Sequence, residues 1–401
     1  MEKSAYTSQS LSEFNTDHHL KKILFFTDLH FGIHSNSQKY IDICTDTVSW
    51  IKDICKNNLV TDVVFGGDFF DSRSSIDVKL MSIATQSLYS LADSGIKVYM
   101  ILGNHDIYLR DATDVNSLLA YNANRNVEIV DKPKWLNDGN ILLLPWGYGT
   151  VKNEIEYCGK ETFVFCHQDF PKEFFIGGRS KKSDTDVSDK FSEFGFQKEL
   201  IDNVIKNNGN IFSGHIHHPS KIPLNDKSSI IIVGSPYETE FGFKGVPCGT
   251  FLIDVDNSKY EFIENPFNRK HIELHTSNID SELEKTDVLN NFIRLVVDTQ
   301  ESFENISDIQ RKIANKNPYH MFNTVFEFNQ AAFVGNRDEI DNPLQSVNDS
   351  KLSKVDYVND AIDKADFSNF TYEVEGKTVS VDKNELKKLT AEIFEKIGAK
   401  R

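Results

Sequence analysis

Short runs of apolar residues recur along the chain, and clusters of polar residues follow several of them. Continuous apolar runs of this length are typical of strands that are covered on both faces. We therefore predict strands, buried within the fold, at 23–26, 62–65, 97–102, 141–146, 163–166, 210–212 and 229–233.

Helical patterns fill the gaps between the first three of these runs. Ile41, Val48 and Cys55 fall near one helical face, and the segment from Val78 to Leu91 shows the same spacing. Strands that alternate with helices indicate an α/β fold. A strand, a helix and a second strand then follow between residues 292 and 328, which predicts a separate small α/β module.

Polar linkers and the change of pattern predict five segments. Near the end of the chain, a hairpin pattern at 370–381 lies between helical patterns. The predicted organisation is a flexible leader at 1–20, an α/β domain at 21–265, the small module at 266–334, a linker at 335–353 and C-terminal helices at 354–401.

Composition limits the class of protein. Hydrophobic residues make up 39% and charged residues 26% of the 401 residues, a balance typical of globular proteins. The apolar runs are too short to cross a bilayer, and the first residues lack the apolar core of a secretory signal. The five cysteines are odd in number and lack CxxC spacing, which argues against a disulfide framework or a cysteine zinc site. We therefore expect a cytoplasmic protein without a membrane partner.

The net charge is −16, from 44 basic and 60 acidic residues. Proteins that bind nucleic acid on their own usually carry a basic surface, which this chain lacks overall. Affinity for a phosphate group would therefore depend on a local basic patch, a bound metal ion or a partner.

Five clusters of polar residues carry the candidate chemistry. Each follows a predicted strand, and the carboxyl ends of strands in an α/β sheet meet at one crevice. The clusters are DLHFG at 28–32, GGDFFD at 66–71, GNHD at 103–106, HQDF from His167, and GHIHHP at 214–219.

Asp, His and Asn supply oxygen and nitrogen ligands, which suit manganese, iron, zinc or magnesium. A single cluster of this kind would be read as an ordinary loop with a surface histidine or a helix cap. Five such clusters, all after apolar strands, instead predict a metal site.

The order DxH, GDxxD, GNHD, H and GHxH resembles the calcineurin-like metallophosphoesterase superfamily, over about residues 22–245. That fold is a two-sheet α/β sandwich with a dinuclear metal site. The DLHFG and GDFFDSR forms and the GSPYETEFG segment further resemble the SbcD-type nuclease subunit of double-strand-break repair complexes, especially the recombination endonuclease subunit of tailed bacteriophages. By that resemblance, residues 266–334 are a capping domain and the C-terminal helices bind a partner ATPase.

The resemblance implies roles for individual residues. Asp106 would lie behind the ligands and orient the loop, and His105 and Asp71 would be catalytic, with His105 facing the scissile phosphate. A basic flap with Arg179, Lys181 and Lys182 would contact the DNA backbone. The implied ligands are Asp28, His30 and His217 for one metal, Asn104, His167 and His215 for the other, and Asp68 as the bridge.

The implied function is a metal-dependent DNA nuclease with duplex exonuclease and single-strand endonuclease activity, which acts in DNA repair, recombination and replication. Two manganese ions are the expected cofactor, with magnesium, iron or zinc as alternatives. The expected partners are DNA and an SbcC-like coiled-coil ATPase, with a homodimer of this chain inside a heterotetramer, in the host cytoplasm if the source is a phage.

The sequence also allows two other functions. The same core hosts phosphoesterases that act on nucleotides or phosphoproteins. A scaffold without catalytic activity is the second alternative, and the complete set of ligand residues argues against it.

Overall fold

The computed structural model describes residues 19–109, 112–148, 155–170, 198–243, 245–299 and 305–326, with four short pieces at 371–374, 377–380, 383–384 and 386–388. Contacts divide the chain into two compact units, residues 1–328 and 329–401. Within the described ranges, no helix is both long enough and apolar enough to span a bilayer.

The secondary structure begins with a strand and alternates as the sequence predicts. In chain order the helices are α1 (Ile33–Asn36), α2 (Gln38–Asn58), α3 (Val78–Ala92), α4 (Lys198–Lys206), α5 (Ile279–Lys285) and α6 (Ile306–Ala314). The strands are β1 (Lys22–Phe26), β2 (Asp62–Phe65), β3 (Lys97–Ile101), β4 (Ile107–Leu109), β5 (Ala112–Asn116), β6 (Val127–Val130), β7 (Lys134–Leu136), β8 (Ile141–Leu144), β9 (Phe163–His167), β10 (Asn210–Gly214), β11 (Ser220–Pro223), β12 (Ser229–Ile232), β13 (Gly249–Asp254), β14 (Lys259–Glu264), β15 (His271–His275), β16 (Phe292–Val297), β17 (His320–Met321), β18 (Val325–Phe326), β19 (Thr371–Val374) and β20 (Lys377–Ser380).

Two six-stranded sheets form the main body of the first unit. The first has the order β14-β13-β1-β2-β3-β6 and the second β11-β12-β10-β9-β8-β7. The strands in the middle of each sheet are parallel, whereas β13, β14, β7 and β11 pair antiparallel at the edges. This arrangement confirms the predicted α/β class, and both sheets are mixed.

Side chains alternate between the two faces of each strand. In β1, Phe25 points into the core between the sheets, where its ring lies 5.1 Å from that of Phe165. Leu24 and Phe26 point to the other face, which α2 and α3 cover, while α4 packs on the outer face of the second sheet. Both faces of these strands are buried, which explains their continuous apolar sequence.

A third, four-stranded parallel sheet lies within residues 271–326. Its order is β15-β16-β17, with β18 also paired to β16, and it shares a separate apolar core with α5 and α6. The sequence predicts one strand at 321–328, but the described residues up to 326 form two short strands, and Phe322 between them packs against Phe241. The pattern did not predict β15 or α5, whose apolar positions are few.

At the two ends of the chain, the described residues test only some of the predicted segments. Leu20, placed in the flexible leader by its sequence, is buried and exchanges two hydrogen bonds with Asn137 (2.9 and 2.7 Å), so the ordered chain includes Leu20. The predicted hairpin is present as antiparallel β19 and β20. Most of the C-terminal helices and the linker at 335–353 lie outside the described residues, so the helices and their partner stay a prediction.

Candidate metal centre

The five polar clusters meet at one edge of the two sheets. Strands β1, β2 and β3 are parallel neighbours in the first sheet, and β9 and β10 are parallel neighbours in the second. Their carboxyl ends therefore lie together, although the clusters are as much as 187 residues apart in the chain. Every predicted ligand contacts at least one other.

Asp28, His30 and His217 form the first group of possible ligands. The Asp28 Oδ1 atom lies 3.6 Å from His30 Nε2 and 3.7 Å from His217 Nε2. The two Nε2 atoms are only 3.0 Å apart. At least one of these nitrogens therefore turns a lone pair toward the shared space, as metal ligands do.

Asp68, His167 and His215 form the second group, and Asn104 lies among them. Asn104 Oδ1 is 3.1 Å from His167 Nε2 and 2.8 Å from His215 Nδ1. Asp68 Oδ2 is 3.3 Å from His167 Nε2 and 3.7 Å from His30 Nε2 of the first group. Asp68 thus faces both groups at once.

The backbone of the site is held in unusual conformations. Asp28, His30, Asp68 and His215 have φ values of 55°, 48°, 59° and 81°, in the left-handed region that side chains rarely adopt. Such strain persists only where surrounding contacts fix the chain, and it concentrates at functional sites. The amide of Asp28 donates to Gly67 O at 2.9 Å and that of His30 to Asp68 O at 3.1 Å, which ties the first two loops together.

Gly67 is required by the close approach of these loops. Its φ is 100°, and a Cβ atom there would lie 2.5 Å from His167 Nδ1 and 2.8 Å from the backbone of Gly103. Any side chain at this position would displace His167 or the backbone of Gly103.

Hydrogen bonds behind the ligands set their orientation. His167 Nδ1 lies 2.7 Å from the carbonyl oxygen of Gly66, so Nδ1 donates and Nε2 is left to face the site. Thr27 Oγ1 and the amide of His215 both donate to Asp28 Oδ2, at 2.8 and 3.1 Å.

His105 and Asp71, the two predicted catalytic residues, lie at the rim of the first group. The amide of His105 donates to Asp68 Oδ1 at 2.8 Å, and its Nδ1 bonds the carbonyl oxygen of Asp71. His105 Nε2 is thereby left for another partner. The Asp71 carboxylate lies 3.5 Å from His30 Nδ1, so the Asp71 side chain faces His30 and only its backbone contacts His105.

Asp106 holds the second and third loops against each other. Its Oδ2 accepts from the amides of Asp68 (2.8 Å) and Gly103 (2.9 Å), and its Oδ1 from that of Phe69 (2.9 Å). The side chain is buried. It is placed to orient the loops that carry Asp68 and Asn104 rather than to bind a metal ion.

We expect Asp106→Ala to destabilise the fold by about 3 kcal/mol or more, because three buried amides would lose their acceptor and each unsatisfied group costs about 1–3 kcal/mol. Denaturant unfolding compares the variant with the wild type. Asp169→Ala is the control, since Asp169 is largely exposed and, among the described residues, its ion pair is a 4.0 Å contact with His215. Equal stability of both variants with the wild type would contradict this role for Asp106.

The ionisable groups divide into two kinds. Burial opposes the charged forms of Asp68, His30 and His167, but attraction to opposite charges is stronger. His167 and His30 hold the pKa of Asp68 well below its usual range. Asp28 and Asp71 raise the pKa of His30 to about 10, and Asp68 raises the pKa of His167 to about 9. Burial lowers the pKa of His215 to about 4, helped by the charge of His167, and also lowers the pKa of His217.

The donor set fits two divalent cations. Within the described residues, Asp28 and Asp68 form ion pairs only with histidines, although both carboxylates are buried. Buried charges need compensation, and metal ions would supply it in place of the protons on His30 and His167. Oxygen and imidazole donors leave the identity of the metal open.

The sequence did not predict that several other residues would lie beside the site. The Trp146 ring lies 4.7 Å from that of His215, at the end of the apolar run 141–146. Because that run precedes the strand that ends at His167, its end could have been predicted to lie at the same edge. Ser235 and Tyr237 lie in the GSPYETEFG segment that carries part of the family resemblance, but nothing in that segment predicts that they bond the Asp28 loop.

Two further histidines close to the polar clusters, His34 and His218, do not join either ligand group. His218 stacks on Phe243 with ring centroids 4.4 Å apart, and His34 bonds the carbonyl oxygen of Thr239 at 2.7 Å. Arg179, Lys181 and Lys182 lie outside the described residues, so their contact with DNA stays a prediction.

Comparisons with known proteins find similarity over the part of the chain that carries the candidate ligands. The model of a family described as calcineurin-like phosphoesterase matches residues 21–219. The chain is a distant homologue of "Exonuclease subunit 1" of Enterobacteria phage T4, with 26% identity over 248 residues, which cover 61% of this chain and 68% of the relative.

Solved structures with detectable similarity include three phosphoesterase relatives. A dimetal phosphatase from Danio rerio is 12% identical, with a TM-score of 0.35, over 59% of this chain and 92% of its own. A phosphoesterase from E. coli is 12% identical, with a TM-score of 0.29, over 61% and 98%. The nuclease MPE from Pseudomonas putida is 14% identical, with a TM-score of 0.28, over 60% and 87%.

Proposed function

Because the chain belongs to the calcineurin-like phosphoesterase family through residues 21–219, we propose that this metallophosphoesterase is a DNA nuclease. The observation that carries the proposal is Asp68, whose carboxylate lies between two groups of ligand-type side chains. The similarity to a phage exonuclease subunit supports DNA as the substrate.

The proposed ligands follow the two groups. Asp28, His30 and His217 would hold one cation, Asn104, His167 and His215 the other, and Asp68 would bridge them. Two divalent cations held there would lower the pKa of a bound water and stabilise negative charge on the phosphodiester. Manganese is the proposed metal.

His105 is proposed to act on the phosphodiester itself. Its Nδ1 is engaged by the carbonyl oxygen of Asp71, so Nε2 is the nitrogen that would meet the substrate. There it would donate a hydrogen bond to a phosphate oxygen or give a proton to the leaving sugar oxygen. The Asp71 carboxylate would contribute by fixing the ring of His30.

The proposal extends to partners. The relative's name describes a subunit, which supports action beside a second protein. We propose an SbcC-like coiled-coil ATPase as that protein, a homodimer of this chain in the complex, and Arg179, Lys181 and Lys182 as contacts to the DNA backbone. A partner would also help to offset the net charge of −16, which repels DNA.

The test is a hydrolysis assay of the purified protein with manganese on three substrates: linear duplex DNA, bis-p-nitrophenyl phosphate and p-nitrophenyl phosphate. A DNA nuclease should cleave the first two, which are diesters, far faster than the third. Preference for the monoester would favour a phosphatase of nucleotides or phosphoproteins. Failure to hydrolyse any of the three would favour a scaffold.

Manganese should raise the melting temperature of protein that has been treated with a chelator. A ligand at 100 times its dissociation constant stabilises the folded state by about 2.7 kcal/mol per site, provided that the unfolded chain does not bind it. Differential scanning calorimetry with and without manganese measures the shift. Asp28→Asn should reduce it, and an unchanged melting temperature of the wild type would contradict metal binding.

A further inference from the structure

A short segment after β12 contacts the metal-ligand loop directly. Within this connecting segment, residues 235–239, Ser235 Oγ donates to the carbonyl oxygen of Asp28 at 2.8 Å. The Tyr237 hydroxyl donates to the carbonyl oxygen of Leu29 at 2.6 Å. Two successive carbonyls of the loop thus have their donors in the connecting segment.

The intervening residues of the segment contact the third sheet and the chain that leads to it. The Pro236 carbonyl accepts from Asn265 Nδ2 at 2.9 Å, and the Glu238 amide donates to Asn268 Oδ1 at 2.8 Å. Glu238 Oε2 accepts from the amide of His271, the first residue of β15, at 2.7 Å. Successive residues therefore alternate between the metal-ligand loop and residues 265–271, which lead into the third sheet.

The loop needs these contacts because its backbone is strained. Leu29 lies between Asp28 and His30, whose φ values of 55° and 48° both fall in the left-handed region. Strained residues keep their conformation only when several contacts fix them. The Tyr237 hydroxyl is the strong donor to Leu29 O, since the second donor is the Cys44 thiol at 3.2 Å.

We propose that Tyr237 is a positioning residue for the metal ligands Asp28 and His30, and that Glu238 couples their placement to the third sheet. The inference rests on the proposed metal site but not on DNA as the substrate. Anything that displaces β15 would move Glu238 and, through its neighbour Tyr237, the backbone of both ligands. The affinity for metal would then depend on the position of the third sheet.

The first test is the affinity for manganese of Tyr237→Phe, measured by titrating metal-free protein and following unbound Mn²⁺ by electron paramagnetic resonance. We expect about 10-fold weaker binding, the lower end of the usual effect of losing a hydrogen bond behind a metal ligand. Ser235→Ala removes the smaller side chain and should also weaken manganese binding. It takes the place of Tyr237→Phe in this test if Tyr237→Phe does not fold.

Tyr121→Phe is the matched control. Tyr121 is buried in the same apolar core as Tyr237, but its hydroxyl bonds Thr85 and Met81, away from the ligands. Loss of its hydroxyl should leave manganese affinity within about 2-fold of the wild type. Wild-type affinity of Tyr237→Phe, or of Ser235→Ala where Tyr237→Phe does not fold, would overturn the positioning role, and so would an equal loss in Tyr121→Phe.

The coupling is tested at Glu238, which belongs to neither ligand group. Glu238→Ala should weaken manganese binding by about 5-fold or more, the lower end of typical coupling between sites. Glu238→Gln keeps an oxygen acceptor for the His271 amide and should restore most of the affinity. Unchanged affinity in the alanine variant, or no recovery in the glutamine variant, would overturn the coupling.

These outcomes are independent of the substrate. If the protein binds manganese as expected but fails to cleave DNA, the nuclease proposal is lost and the role of Tyr237 stands. If it cleaves DNA and Tyr237→Phe binds manganese like the wild type, the positioning role is lost and the nuclease proposal stands.

Discussion

Asp68→Asn is expected to lower phosphodiester hydrolysis by about 10³-fold or more. The Asp68 carboxylate faces both ligand groups, at 3.3 Å from His167 Nε2 and 3.7 Å from His30 Nε2. The amide has almost the same volume but carries no charge, so it cannot bridge two cations. The loss corresponds to several kcal/mol of transition-state stabilisation.

Steady-state rates on bis-p-nitrophenyl phosphate and a manganese titration measure the two consequences, loss of turnover and loss of metal. Asp169→Asn is the control for a nearby carboxylate, because Asp169 belongs to neither ligand group. Its rate should stay within about 3-fold of the wild type. If Asp68→Asn kept both its rate and its metal, Asp68 would not be the bridge and the dinuclear site would be wrong.

His105→Asn should lower DNA cleavage by about 10²–10⁴-fold, the usual contribution of a positioned acid or base. Manganese binding should be retained, because His105 contacts Asp68 only through its backbone amide and asparagine keeps that amide. His218→Asn is the matched control, since His218 stacks on Phe243 outside both ligand groups.

A comparison of substrates separates the two possible roles of His105. Nitrophenolate leaves without a proton far more readily than a sugar alkoxide does. If His105 protonates the leaving oxygen, the variant should lose much more rate on DNA than on bis-p-nitrophenyl phosphate. If it only stabilises charge on phosphate oxygens, both substrates should lose alike, and a wild-type rate on DNA would exclude both roles.

Much of the central fold could be predicted because its strands are covered on both faces. The runs at 62–65 and 141–146 contain the observed β2 and β8, and the helical spacing of Val78–Leu91 matches α3. Strands with one exposed face were missed, as in β14, where Tyr260 and Phe262 alternate with charged residues. Such strands form through pairing with a neighbour, which local sequence does not specify.

The candidate site was predicted as a set of residue types but not as a geometry. The clusters after β1, β2, β3, β9 and β10 gave every side chain of the two ligand groups. The side-chain direction of Asp71 was not predictable, since its carboxylate faces His30 while its carbonyl bonds His105. The part played by Tyr237 was hidden because it lies 208 residues from Leu29.

Hydrophobic periodicity and residue chemistry are local properties, so local patterns specify which segments become buried strands and which ligand-type side chains follow them. Only the folded protein specifies which atoms face each other. It placed Asp68 between two groups, turned Nε2 of His167 into the site, and made Tyr237 a support of the strained Asp28–His30 loop. Those relations depend on strand order and on hydrogen bonds between distant residues, and local sequence patterns predict neither.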